Sequence, residues 1–185
     1  GILPEEAWPT QVTKTGTEEV VLHFEKGELT AVNGKTYDHP VDAIYALQAI
    51  AGPYGIGRDI HVGDTIIGIK GRVGFEAAAP ILIIKAHHAL EKHVLTKWQL
   101  SWKDQLSMFY GTWLHEGQIM DPVMRDIEAL LTSSQKNVTG DVFIQLNPYR
   151  YQMIGIQSDF DLMSKKFGSY GEMNTGWTGT DVRGF

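Results

Sequence analysis

The chain has no cysteine among its 185 residues. That excludes disulfides, thiolate metal sites and cysteine nucleophiles, and leaves the redox compartment undetermined. No apolar run approaches the ~20 residues of a membrane-spanning helix, and no signal peptide is visible. Positive charge is outnumbered: 16 Lys and Arg stand against 22 Asp and Glu, for a formal net charge of −6, which argues against non-specific nucleic-acid binding. No Gly-Lys-Ser/Thr occurs, so there is no P-loop. Gly55-Ile56-Gly57-Arg58 lacks the third glycine and the helix of a dinucleotide fingerprint. What remains is 43% hydrophobic and 21% charged, the composition of a globular protein of one domain or two small subdomains with a real core.

The densest feature is Gly55–Glu76, with six glycines, three cationic side chains and three acids. Two β-branched runs, Ile60–Val62 and Thr65–Ile69, have strand composition, and Gly63-Asp64 between them is a turn signal. The reading is a hairpin that gathers Arg58, Lys70 and Arg72 at a glycine-rich edge. Such an edge suits close approach of an anionic ligand. A plain hairpin with solvated charges fits the same spacing.

Around it, residues 1–17 read as a connecting arm or a loose terminus, with Trp8 arguing for docking. Glu19–Phe24, Glu28–Val32 and Lys35–Tyr37 form a meander, turned at Lys26-Gly27 and Asn33-Gly34. Asp38 caps a helix with Pro40 in its first turn and Val41, Ile44, Leu47 and Ala51 on one face, ended by Gly52-Pro53. Residues 81–116 are helical, with breaks near Leu95-Thr96 and Gly111. A further helix starts at Asp121-Pro122 and ends by Val138-Thr139-Gly140. Asp141–Leu146 and Tyr151–Ile156 pair around Asn147-Pro148, and Asp159–Phe167 reads as a short helix. Residues 168–185 look irregular. The fold class is α+β: two antiparallel sheet units flanking long, Trp-rich helices.

Trp98, Trp102, Phe109 and Trp113 are spaced by four, seven and four residues. A stripe like this serves as core or as an oligomer seam. His87, His88, Glu91 and His93 form the one metal-like cluster, but only 87 and 91 share a helical face and no His-Glu-x-x-His occurs. They are read as ordinary polar residues, with no metal expected.

Several motifs in order resemble the C-terminal synthetase domain of the argininosuccinate synthase family. They are Gly55-Ile56-Gly57-Arg58, Gly68-Ile69-Lys70 with Arg72 and Glu76, Ala86-His87 with Leu90-Glu91, Phe24-Glu25-Lys26-Gly27, Val32-Asn33-Gly34-Lys35, and Ser134–Gly140. From Gly55 to Glu91 the match needs no gap. The resemblance implies a linker arm over 1–17, a synthetase domain over 18–167 and a truncated oligomerisation tail over 168–185. It further implies a preceding ATP-binding domain that this chain, beginning at Gly1, lacks. The implied activity of the full-length protein is a cytoplasmic, homotetrameric ligase of arginine biosynthesis. It joins citrulline to aspartate, with ATP (and Mg) as substrate, releasing AMP and pyrophosphate. The fragment alone is expected to bind no ATP and to be inactive. The alternatives are a non-catalytic oligomerisation module and an unrelated α+β binding module.

One departure stands out. The family's Glu of Glu-Asn-Arg and its Tyr before the final Glu hold the amino-acid head of citrulline. The ungapped match puts Gly63 and Phe75 there. Glycine offers no counter-charge to an α-ammonium, and phenylalanine has no hydroxyl. Three explanations stay open: Asp64 substitutes after a one-residue shift, the amine is met elsewhere, or the substrate is an N-acylcitrulline. In the last case Gly63 and Gly71 make room, and Arg58, Lys70 or Arg72 meets an added carboxylate. Substrate-binding candidates are therefore Arg58, Gly63, Asp64, Lys70, Arg72 and Phe75, with no catalytic residue in this chain.

Overall fold

The computed structural model describes residues 3–163 and 177–183. Three strands open the chain: β1 (Glu18–Glu25), β2 (Glu28–Val32) and β3 (Lys35–Thr36). β1 alternates as its sequence demands, burying Val20, Leu22 and Phe24. Asn33 and Gly34, with φ of 51° and 76°, supply the left-handed pair of the β2–β3 turn.

Helix α1 (Pro40–Ala51) follows. Its cap is His39, whose Nδ1 accepts from the Val41 N–H at 3.2 Å, and not Asp38 as expected. The buried stripe is correspondingly displaced to Ala43, Leu47 and Ala51, while Val41 and Ile44 are exposed. A 3₁₀ turn, Gly52–Tyr54, leads to the hairpin of β4 (Arg58–Asp64) and β5 (Lys70–Glu76).

The long helical region breaks once, into α2 (Ala78–Val94) and α3 (Lys97–His115). Thr96 and Gln99 close a reciprocal capping box at the break, and Gly111 passes inside α3 without interrupting it. α2 buries Ala79, Leu82, Ala86 and Leu90 against the sheet. Burying each leucine stabilises by about 1.5–3 kcal/mol. α3 buries none of its residues, and the aromatic stripe is largely open, with Trp98 66% and Trp102 58% exposed. α4 (Pro122–Ser134), capped by Asp121, buries Met124 and Ile127.

The closing hairpin, β6 (Gly140–Asn147) and β7 (Arg150–Gln157), does not form a sheet of its own. β6 pairs along β1, Val20 opposite Ile144 and Leu22 opposite Val142, giving one sheet of order β3-β2-β1-β6-β7. The core lies between this sheet and helices α1 and α2. The expected helix at Asp159–Phe167 does not form over residues 159–163, which are turns at 159–160 and 162–163, and the rest lies outside the described residues. So does most of 168–185, whose described part contains a short helix, α5 (Gly179–Arg183).

Candidate functional site

β4 and β5 form a two-stranded unit apart from the main sheet. Its pairing corrects the expected turn. Arg58 lies opposite Glu76, Val62 opposite Arg72, Gly63 opposite Gly71 and Asp64 opposite Lys70. Gly63 and Asp64 are therefore strand residues, and the loop is Thr65–Ile69. Thr65 shapes the loop: its Oγ1 donates to the Ile69 carbonyl at 2.7 Å and accepts the Ile69 N–H at 3.1 Å. Ile66, Ile67 and Ile69 sit exposed at the tip despite their strand composition.

Register decides which candidates share a face, because side chains alternate along each strand. One face carries Asp59, His61, Gly63, Gly71, Val73 and Phe75. The other carries Arg58, Ile60, Val62, Asp64, Lys70, Arg72, Gly74 and Glu76. Asp64 thus lies opposite in direction to Gly63, and its carboxylate pairs with Lys70 on its own face. The one-residue substitution of Asp64 for the family's glutamate would require turning the strand over.

The expected cluster of Arg58, Lys70 and Arg72 does not form. Arg58 sits at the base of the hairpin and Lys70 at its tip, six strand residues and roughly 20 Å apart. Arg58 is also engaged within the chain, its side chain only 7% exposed. Its guanidinium donates to Glu5 at 2.8 and 3.0 Å, to Glu76 at 3.3 Å and to the Thr10 carbonyl, and lies 5.1 Å from the Trp8 ring centroid. Its hydrogen bonds to the Glu5 carboxylate, more than offsetting burial, hold the Arg58 pKa above the ordinary arginine value, and the same contact lowers that of Glu5. Residues 3–10 are therefore a docked strap over the second face. Leu3 takes the space above Gly74, where a Cβ would collide with it.

Gly57, just before the hairpin, is constrained for a different reason. Its φ is +76°, and an added Cβ would stand 2.6 Å from the Ala77 carbonyl carbon and oxygen. This contact, with the Ala77 N–H donating to the Gly57 carbonyl at 2.9 Å, seats the hairpin against the start of α2.

Gly63 and Gly71 have no such constraint. Neither has positive φ. Among the described residues, a Cβ on Gly71 would meet nothing closer than 3.9 Å, and one on Gly63 would meet only the tip of the His61 ring, at 3.0 Å. Gly71 leaves an open place on the first face beside Val73 and Phe75, which are 61% and 41% exposed, while the His61 ring lies over Gly63.

A second polar constellation, unseen as a unit in the sequence, lies under α3. Glu91 is buried. Lys103 Nζ reaches its Oε2 at 3.0 Å, and the Gln135 amide donates to its Oε1 at 2.7 Å. That fixes the Gln135 carbonyl oxygen as acceptor for His87 Nε2–H at 2.9 Å. Burial lowers the His87 pKa, opposed by the Glu91 charge. His87, Lys103 and Gln135 line an open groove of about 1010 Å³, also lined by Lys26, Glu28 and Lys136. His93 is engaged elsewhere, with Asp161 at 3.2 Å, and His88 is exposed. Among the described residues no three His, Asp or Glu side chains gather as metal ligands.

The architecture defines an α+β domain with a separate two-stranded arm. A family model described as "Arginosuccinate synthase C-terminal domain" matches residues 4–185. The chain is 37% identical over 183 residues to the argininosuccinate synthase of Xanthomonas campestris pv. campestris, covering 98% of this chain and 44% of that protein. It is 36% identical over 162 residues to that of Xylella fastidiosa, covering 88% and 39%. For that of Methanocaldococcus jannaschii the figures are 35% over 172 residues, 91% and 43%. The chain belongs to the argininosuccinate synthase family and corresponds to its C-terminal domain. It spans less than half the length of these curated relatives.

Proposed function

We propose that this chain is the citrulline-side and oligomerisation part of a ligase that joins a citrulline-type substrate to aspartate with ATP, releasing AMP and pyrophosphate in arginine biosynthesis. Family membership supports the reaction class. Phosphate chemistry is proposed for another part of the protein, because the matching family model is a C-terminal domain and the chain spans less than half the length of its relatives. The chain by itself should release no pyrophosphate from ATP in the presence of citrulline and aspartate. Release by the isolated chain would refute that division of labour.

The substrate is an N-acylcitrulline, such as the acetyl or succinyl derivative. The observation that carries this is the Gly63–Gly71 pair. Neither glycine has positive φ, Gly71 has open space among the described residues, and at Gly63 only the exposed His61 ring would have to give way. The pair removes the carboxylate that would meet an α-ammonium and leaves space at Gly71 on the face shared with Phe75. Where the assembled enzyme covers this face, an ammonium without its counter-charge would cost on the order of a few kcal/mol, so an acylated, uncharged nitrogen suits it better. Steady-state kinetics of the whole enzyme test it: a preference for free citrulline over both acyl derivatives removes the proposal.

Self-association uses α3. Its apolar residues Trp98, Trp102 and Phe109 are exposed in the single chain, with spacing that aligns them along the helix. A second copy covers this stripe in the proposed homotetramer. Light scattering of Trp102→Glu should show dissociation; an unchanged assembly would place the seam elsewhere.

A further inference from the structure

We propose that His61 is the specificity-determining residue of the citrulline-side site, donating a hydrogen bond to the acyl oxygen on the substrate's α-nitrogen. The inference rests on the reading of the Gly63 and Phe75 face as substrate-facing. His61 lies on that same face, two residues before Gly63, in a register that leaves Asp64, Lys70 and Arg72 on the other. Its ring leans toward the glycine: Nε2 lies 3.0 Å and Cδ2 3.4 Å from where a Cβ on Gly63 would be. The imidazole thus takes the space through which any side chain at position 63 would leave the strand.

The exchange alters the chemistry of the face. A glutamate at 63 offers only acceptors, which suit an ammonium. An imidazole offers an N–H, which suits an oxygen. Both the acetyl and the succinyl derivative present an amide carbonyl there, so both are read by the same donor. His61 makes no hydrogen bond inside the chain among the described residues, is solvent-exposed, and neighbours Gly63 rather than the packed base of the hairpin. The other ionisable group on this face, Asp59, lies two same-face positions from Gly63, roughly 13 Å along the strand, and caps its own chain by accepting the Ile60 N–H at 2.7 Å.

The test is kinetics of the whole synthase with citrulline, N-acetylcitrulline and N-succinylcitrulline, on His61→Ala, His61→Gln, Gly63→Glu and Asp59→Asn. Loss of one neutral hydrogen bond should raise KM for the acyl substrates by about fivefold to tenfold in His61→Ala. His61→Gln, which keeps an N–H donor, should restore most of it, and KM for ATP and aspartate should not move. Gly63→Glu should weaken the acyl substrates and favour free citrulline. If Gly63→Glu shifts the substrate preference while His61→Ala does nothing, the role of His61 is overturned and the substrate-facing reading stands. If neither variant moves any citrulline-side KM, the face is not substrate-facing and both fall. If wild type prefers free citrulline and Asp59→Asn abolishes that, Asp59 meets the amine and the proposal is overturned.

Discussion

Replacing Lys103 by methionine should loosen α3 from the domain. α3 buries no residue of its own, and Lys103 ties it to the carboxylate of Glu91 on α2, which is only 2% exposed. At 3.0 Å and an effective dielectric near 20, the attraction is about 5 kcal/mol before desolvation is subtracted. Removing one partner of a buried pair ordinarily costs about 3–5 kcal/mol. Lys103 retains 13% exposure, which allows water to replace part of the attraction, so the lower end, about 3 kcal/mol, is expected. Urea unfolding of the single variant should show that loss. The double variant Glu91→Met, Lys103→Met should recover part of it, because no carboxylate is then left without its cation, although the Gln135 amide loses its acceptor on Glu91. A loss below about 1 kcal/mol, or a double variant no better than Lys103→Met, would refute the view that Lys103 neutralises Glu91.

Gly57→Ala should lower stability by about 2 kcal/mol or more, from the left-handed φ and the Ala77 backbone contact together, read as a lower melting temperature. Gly71→Ala, at a position with open space, should change it by less than about 1 kcal/mol. Arg58→Lys keeps the charge but loses the fork that binds Glu5 and Thr10, so limited proteolysis should cut near residues 5–10 faster in the variant. His87 has a folded pKa below its ordinary value of about 6.5. As pH falls below about 6.5 the unfolded chain binds this proton first, so stability should drop from there until the folded pKa is passed, with no contribution above neutrality. In His87→Gln the slope of unfolding free energy between pH 7 and 5.5 should flatten.

Local patterns in the sequence carried much of this fold. The alternation of Val20, Leu22 and Phe24, the Asn33-Gly34 turn and the break at Thr96 all depend on neighbours a few residues away. Longer-range facts were not legible. The β1–β6 pairing joins residues far apart, such as His23 and Asp141, 118 positions in sequence, and no local pattern announces it. Lys103 meets Glu91 across a helix break that resets the helical phase. At the arm, β-branched Thr65–Ile69 read as strand, yet the Thr65 hydroxyl closes it into a loop. That shift of the turn moved Asp64 and Lys70 onto the face away from Gly63 and set Arg58 at the far end. His61 gave no signal in the linear sequence, because its relation to Gly63 depends on which face each occupies.

The most direct test is calorimetric titration of the whole synthase, with an ATP analogue present, against citrulline and then N-acetylcitrulline and N-succinylcitrulline. Tighter binding of an acylated compound than of free citrulline is the predicted result. Tighter binding of free citrulline would contradict it and would mean that another acid meets the α-amine.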